Sequence, residues 1–140
     1  MITTVSHNIR DLKIMDAIKE KKAWRDVKYS EKFSNAFRGL YVAFKATRHA
    51  FVHLIATPIV VILGFYFQVS SFEWIALIFA IGFVLVSEVF NTAIEIDIDL
   101  TSPEYHPYAK DTKDVAAAAV LLSTFVAIFV GFIVFLPKIL

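Results

Sequence analysis

Trp74-Ile75-Ala76-Leu77-Ile78-Phe79-Ala80-Ile81-Gly82-Phe83-Val84-Leu85-Val86 carries no charge, and Ser87-Glu88-Val89-Phe90-Asn91-Thr92-Ala93-Ile94-Glu95-Ile96-Asp97-Ile98-Asp99 follows it without a break. The first half is apolar enough to cross a bilayer as a helix. The second half continues the helix and sets Glu88, Asn91, Glu95 and Asp99 at spacings of 3, 4 and 4 residues. Such spacings line four polar side chains along one face. Carboxylates near a bilayer are costly and survive where they face a cavity, a partner helix or an ion. Interhelical hydrogen bonding, a proton path and a metal-and-phosphate site all fit that stripe. Asp97 falls off it and reads as a solvated residue near the interface.

The composition agrees with a membrane setting. The chain has 140 residues, 58% hydrophobic and 19% charged, with 14 Phe and a mean hydropathy of +0.65. Water-soluble domains average roughly 45–50% apolar residues. One small domain is the natural count. Cysteine is absent, which removes disulfides, thiolate chemistry and cysteine metal sites. The first 32 residues are polar and charged, so no cleavable signal is expected.

Two further apolar runs flank the first. Ala50 to Phe67 contains only His53 and Thr57 as clearly polar residues, with Pro58 inside it, and Val115 to Leu136 ends at Pro137. Each matches the roughly 20 residues that span a hydrocarbon core. The sequence therefore predicts an all-α membrane protein with three transmembrane helices: 50–67, 74–99 and 115–136. A cytoplasmic loop is expected over 100–114. Residues 1–48 hold 11 of the 14 Lys and Arg. The excess of positive charge places the N-terminus and the 100–114 loop in the cytoplasm and the C-terminus outside. Glu73 and Trp74 read as an outer interfacial anchor.

Ahead of the first span, residues 30–48 have helical periodicity, with Phe33, Phe37, Leu40, Tyr41 and Phe44 in a stripe. That pattern predicts an amphipathic helix lying in the membrane interface, with Ser30 or Ser34 as its cap. Residues 1–29 form a polar N-terminal extension, and 30–140 the membrane domain. Ala116 to Ala119 predicts a close helix contact. The basic residues flank membrane spans, which accounts for them without nucleic acid. Gly-rich phosphate loops and His-Glu-x-x-His are missing. His49 and His53 have the spacing of a metal pair but no third ligand nearby, and read as interfacial polar residues.

The loop after the stripe brings Glu104, Tyr105, His106, Lys110, Lys113 and Asp114 to the same membrane face. Carboxylates bind Mg²⁺, and Mg²⁺ with Lys clamps phosphates. Glu88-x-x-Asn91-Thr92-Ala93-Ile94-Glu95-x-x-x-Asp99, then Tyr105-His106-Pro107, then Lys113-Asp114-x-Ala116-Ala117, resembles the prokaryotic diacylglycerol kinase family, which includes undecaprenol kinases. Ala36-Phe37-Arg38-Gly39-Leu40 and His53-Leu54 agree with it. The resemblance runs from about Phe33 to Leu136.

It implies an ATP-dependent kinase acting on a lipid alcohol in a bacterial cell membrane, assembled as a homotrimer with active sites shared between subunits. Glu88 would be the general base and Glu95 would ligate Mg²⁺. Asn91 and Asp99 would support the site. Glu95, Glu104, Tyr105, His106, Lys113 and Asp114 would meet the nucleotide. Thr47 stands where well-known members carry a second metal-ligating Glu, and it adds no charge. The competing class is a non-catalytic membrane protein: an inactive kinase fold, or a small ion- or proton-conducting oligomer.

Overall fold

The computed structural model describes residues 29–46 and 50–140. Among the described residues there are four helices: α1 Tyr29–Ala46, α2 Ala50–Tyr66, α3 Ser71–Thr101 and α4 Pro107–Ile139. Thr47, Arg48, His49, Trp24 and nearly all of the 1–29 extension lie outside the described residues. By internal contacts the chain divides at Gly39, with Leu40–Leu140 forming the larger unit.

In the first unit, the described part is the beginning of α1. Phe33 and Phe37 meet edge to face one turn apart, with ring centroids 5.2 Å apart. Lys32 Nζ lies 5.2 Å from the Tyr29 ring centre. Ser30 and Ser34 both fall inside the helix rather than capping it.

In the second unit, α3 and α4 make most of the tertiary contacts, and α2 packs more sparsely on α3. α2 ends in a reverse turn: Val69 N–H donates to Gly64 O at 3.1 Å and Gln68 N–H to Phe65 O at 3.2 Å. Gln68 takes the left-handed conformation that this motif requires, with φ 49°. Ser70 then caps α3 reciprocally. Its hydroxyl accepts from Glu73 N–H at 3.3 Å, and the Glu73 carboxylate accepts from Ser70 N–H at 2.6 Å. Val69, buried by the turn, joins Leu77 and Val134 in a small core with Val60, Phe67, Trp74, Val130 and Phe135 around it.

The remaining surface is inverted relative to a water-soluble protein. Phe79, Phe83, Phe125, Phe129 and Phe132 point outward, while Glu88, Asn91, Thr92 and Ser123 are buried. Water favours the opposite arrangement; hydrocarbon favours this one. α3 and α4 are both long and apolar enough to cross a membrane, and α2 is apolar but only 17 residues long. Pro58 sits inside α2, and the Thr57 hydroxyl one residue earlier donates to His53 O at 2.8 Å.

One expectation is corrected. The 100–114 segment is mostly helix, because α3 runs to Thr101 and α4 begins at Pro107. Proline at a helix start loses nothing, since that N–H has no intrahelical partner. His106 caps the helix, its Nδ1 accepting from Tyr108 N–H at 3.3 Å. Helix thus continues past the apolar span into charged sequence, where hydropathy alone gives no boundary. Of Ala116–Ala119, only Ala116 is buried within the chain.

The antiparallel pair is tied at both ends. Lys138 Nζ meets Glu73 Oε1 at 3.1 Å, and Lys113 Nζ meets Asp99 Oδ1 at 2.6 Å. Hydrogen bonds from the Ser70 backbone, then from Lys138, hold the Glu73 carboxyl below its ordinary pKa. A lowered carboxyl pKa contributes stability that is present above the unfolded-state value and lost as pH falls through the folded-state value. The thermal midpoint of Glu73→Gln in detergent should therefore lie below wild type at pH 7, and the gap should close as pH falls below the ordinary glutamate range. A second test concerns Gly64, where an added Cβ would lie 2.6 Å from the Trp74 ring. Gly64→Ala should destabilise by about 1–3 kcal/mol through overpacking, read by denaturant or thermal unfolding.

Candidate functional site

The polar stripe of α3 is a gradient. Glu88 is 3% exposed and Asn91 6%, Glu95 is half-buried, and Asp99 is exposed. Helical spacing places them on one line, and the apolar residues between them turn away. Thr92, also buried, donates its hydroxyl proton to Glu88 O at 3.0 Å, within the helix.

Each carboxylate of the stripe has a different partner. Glu88 Oε1 lies 3.1 Å from His53 Nε2 of α2. Glu95 Oε1 accepts from Asn91 Nδ2 at 3.0 Å. Asp99 holds Lys113 of α4. That contact, assisted by the charge of Glu95, raises the Lys113 pKa above its ordinary value. A raised lysine pKa keeps Lys113 protonated throughout the neutral range.

The structure thus brings Glu88, Asn91, Glu95, Asp99 and Lys113 into one stripe with its flanking cation. The other expected residues lie in or beyond the short connection. Glu104 and Tyr105 are exposed there, with Tyr105 80% exposed. His106 is the α4 cap and stacks near Tyr108, with ring centroids 5.6 Å apart. Asp114 pairs with Lys110 one turn earlier on α4, and this pair keeps the Lys110 pKa raised. Among the described residues, no hydrogen bond or ion pair joins Glu104, Tyr105, His106 or Asp114 to the stripe carboxylates.

His53 is the functional neighbour that sequence spacing did not assign. The available signal was its position, a polar residue in an apolar run, which inside a membrane calls for a partner. His53 also lines a cavity of ≈ 270 Å³ among α2, α3 and α4, walled by Thr57, Val84, Leu85, Thr124 and Ile128 among others.

The fit of these residues to a divalent cation rests on one atom. Asn91 Oδ1 is buried with no hydrogen-bond partner among the described residues. The Nδ2 of the same amide donates to the half-buried Glu95 carboxylate. No cluster of three acidic or His side chains is found among the described residues. Mg²⁺ does not need one, since it takes one or two protein oxygens and fills the rest with water and phosphate. A buried acceptor without a partner costs about 1–3 kcal/mol. Asn91→Leu removes this orphan acceptor and also the Nδ2 bond to Glu95, effects of opposite sign, so its unfolding free energy is expected to stay within about 1–2 kcal/mol of wild type. A larger loss in chemical unfolding would show that Oδ1 has a partner in the folded protein.

Comparison with known proteins bears on the whole of this region. The family model described as prokaryotic diacylglycerol kinase matches residues 34–135. An undecaprenol kinase of Bacillus subtilis (strain 168) is 35% identical over 111 residues, covering 79% of this chain and 90% of that protein. A diacylglycerol kinase of Synechocystis is 33% identical over 109 residues, 77% of this chain and 62% of the other. The diacylglycerol kinase of Escherichia coli (strain K12) is 31% identical over 74 residues, 53% of this chain and 61% of the other. The chain therefore spans less than two thirds of the last two proteins. With 102 consecutive positions inside the family model, the chain belongs to the prokaryotic diacylglycerol kinase family.

Proposed function

We propose that this protein is an integral-membrane lipid kinase that moves the γ-phosphate of ATP to the primary hydroxyl of a lipid alcohol, diacylglycerol or undecaprenol. The carrying observation is the gradient on α3: a buried carboxylate at one end, and a lysine-held, water-exposed one at the other. A phosphoryl transfer between a lipid and a soluble nucleotide needs such a site, open to hydrocarbon on one side and to water on the other.

In this reading α2, α3 and α4 are the three membrane spans, and α1 lies along the interface with its Phe stripe toward lipid. The N-terminus and the connection before α4 are cytoplasmic, and the C-terminus is outside. Both α3 and α4 then carry their nucleotide-facing groups to the side where ATP is found. The protein works as a homotrimer whose neighbouring subunits complete each site.

Glu88 is the general base. The lipid O–H bond breaks and its proton passes to the Glu88 carboxylate. The lipid oxygen bonds to the γ-phosphorus while the bond from phosphorus to the β–γ bridging oxygen breaks, releasing ADP. Little covalent chemistry is required of the protein, so positioning and charge neutralisation dominate. Glu95 and Asn91 Oδ1 would hold Mg²⁺, which supplies charge neutralisation at the phosphate oxygens. Lys113 contributes a fixed positive charge at the aqueous end, with Asp99 orienting it. Glu104, Tyr105, His106 and Asp114 meet the nucleotide from the connection and the first turns of α4. Thr47 provides no second carboxylate.

The test is transfer of label from γ-labelled ATP by purified protein in detergent micelles, with diacylglycerol and undecaprenol in separate tubes, with and without Mg²⁺. Mg²⁺-dependent lipid label is expected in at least one tube. Glu88→Gln should lower kcat by roughly 10²–10⁴-fold, the range for losing a general base. Unlabelled lipid in both tubes, from folded protein, would return the chain to the class of inactive folds or conducting oligomers.

A further inference from the structure

Glu88 is the base in the reading above, and the inference drawn here rests on that reading. A glutamate side chain has three rotatable bonds. In a buried site it needs a partner, both to remain charged and to stay aimed. The partner is His53. Its Nε2 lies 3.1 Å from Glu88 Oε1, with the His53 side chain 17% exposed and the Glu88 side chain 4% exposed. The two residues come from different helices, α2 and α3, and those helices otherwise touch sparsely. This contact is thus one of few things that fix Glu88 relative to α2.

His53 is itself anchored. Its backbone carbonyl accepts from the Thr57 hydroxyl at 2.8 Å, in the turn that precedes Pro58. Its ring also forms part of the wall of the apolar cavity among α2, α3 and α4. It therefore stands where the buried hydrocarbon-lined space reaches the base.

We infer that His53 is a positioning residue: its Nε2–H donates to Glu88 Oε1 and turns Oε2 toward the lipid hydroxyl. Either the neutral ring protonated on Nε2 or the imidazolium supplies this donor. The role demands an N–H at the Nε2 position, not a charge and not a ring. That requirement separates positioning from packing, because glutamine places its amide nitrogen near the Nε2 position while asparagine falls short of it.

The experiment compares wild type, His53→Gln and His53→Asn in the labelled-ATP assay, measuring kcat and the KM values for ATP and lipid, with thermal midpoints as a control on folding. His53→Gln should retain kcat within about threefold. His53→Asn should lose roughly 10–100-fold in kcat, the size of effect that a misplacement near 1 Å produces. The KM for ATP should stay within about twofold in both, since Asn91, Glu95 and Lys113 are untouched. Equal kcat for the Gln and Asn variants, whether both high or both low, would overturn the assignment. So would a loss that appears in the KM for ATP instead of in kcat. Wild-type protein that labels neither lipid would overturn the kinase reading first, and this inference with it. Active wild type with indifferent His53 variants would overturn the inference alone.

Discussion

Lys138 on Glu73 and Lys113 on Asp99 fix the register of α3 against α4, and the placement of every other functional group follows from that register. Glu73 and Asp99 are 26 residues apart, and Lys113 and Lys138 are 25 apart. Both intervals measure roughly 38 Å of helix. Hydrocarbon is about 30 Å thick, and about 40–45 Å with the headgroup zones included. The two pairs therefore suit the two interfaces of one bilayer, where charges meet water. Apolar side chains between helices in lipid gain little from one register over another, since the alternative contact is equally apolar. A slip of one helical turn would break both ion pairs at once, and this is what makes the alignment single-valued.

That alignment decides which end of the stripe is wet. From Trp74, a span of about 20 residues closes near Ile94, which leaves Glu88 and Asn91 inside and Asp99 outside. The burial gradient along α3 follows the same order, from Glu88 through Glu95 to Asp99. A water-soluble helix would show no such direction, because its polar face is wet along its whole length. In the proposed function depth and chemistry would change together: proton acceptance at the buried end, cation and phosphate contact in the middle, and a fixed lysine charge at the surface.

The part of this arrangement that lies along single helices was legible in the sequence. The uncharged run from Trp74 to Val86 gave the long α3. The 3-4-4 spacing of Glu88, Asn91, Glu95 and Asp99 gave the stripe, and the Lys113-Asp114 match pointed to Lys113, the cation beside it, whereas Asp114 pairs with Lys110. What lies between helices was not legible. Periodicity describes one helix at a time, so the contact of His53 with Glu88 and that of Lys113 with Asp99 needed the packing. The start of α4 was missed for a related reason. Hydropathy marks where a helix leaves hydrocarbon, whereas Pro107 and His106 mark where the helix itself begins, and eight residues separate Pro107 from Val115. Of Ala116 to Ala119, packing within the chain uses only Ala116, since alanine permits close approach on any side of a helix and only packing chooses the side.

The partners of the three stripe carboxylates also bear on the substitution at Thr47. Asp99 is matched by a full positive charge on Lys113, and Glu88 Oε1 lies 3.1 Å from His53 Nε2. Among the described residues, Glu95 is hydrogen-bonded only to the neutral amide of Asn91, and Lys113 acts on it at longer range. Asn91 meanwhile presents an unused oxygen from the same site. A hard cation is drawn to uncompensated charge accompanied by neutral oxygen donors, and it dehydrates only as far as phosphate ligands replace its water. In the proposed function, with threonine at position 47, the electrostatic pull on a cation would rest on Glu95, supplemented by the phosphates the cation arrives with. Affinity for the free ion should then be weak and affinity for the ion–nucleotide pair much stronger. In that reading the nucleotide, not the protein, would be the main carrier of metal into the site.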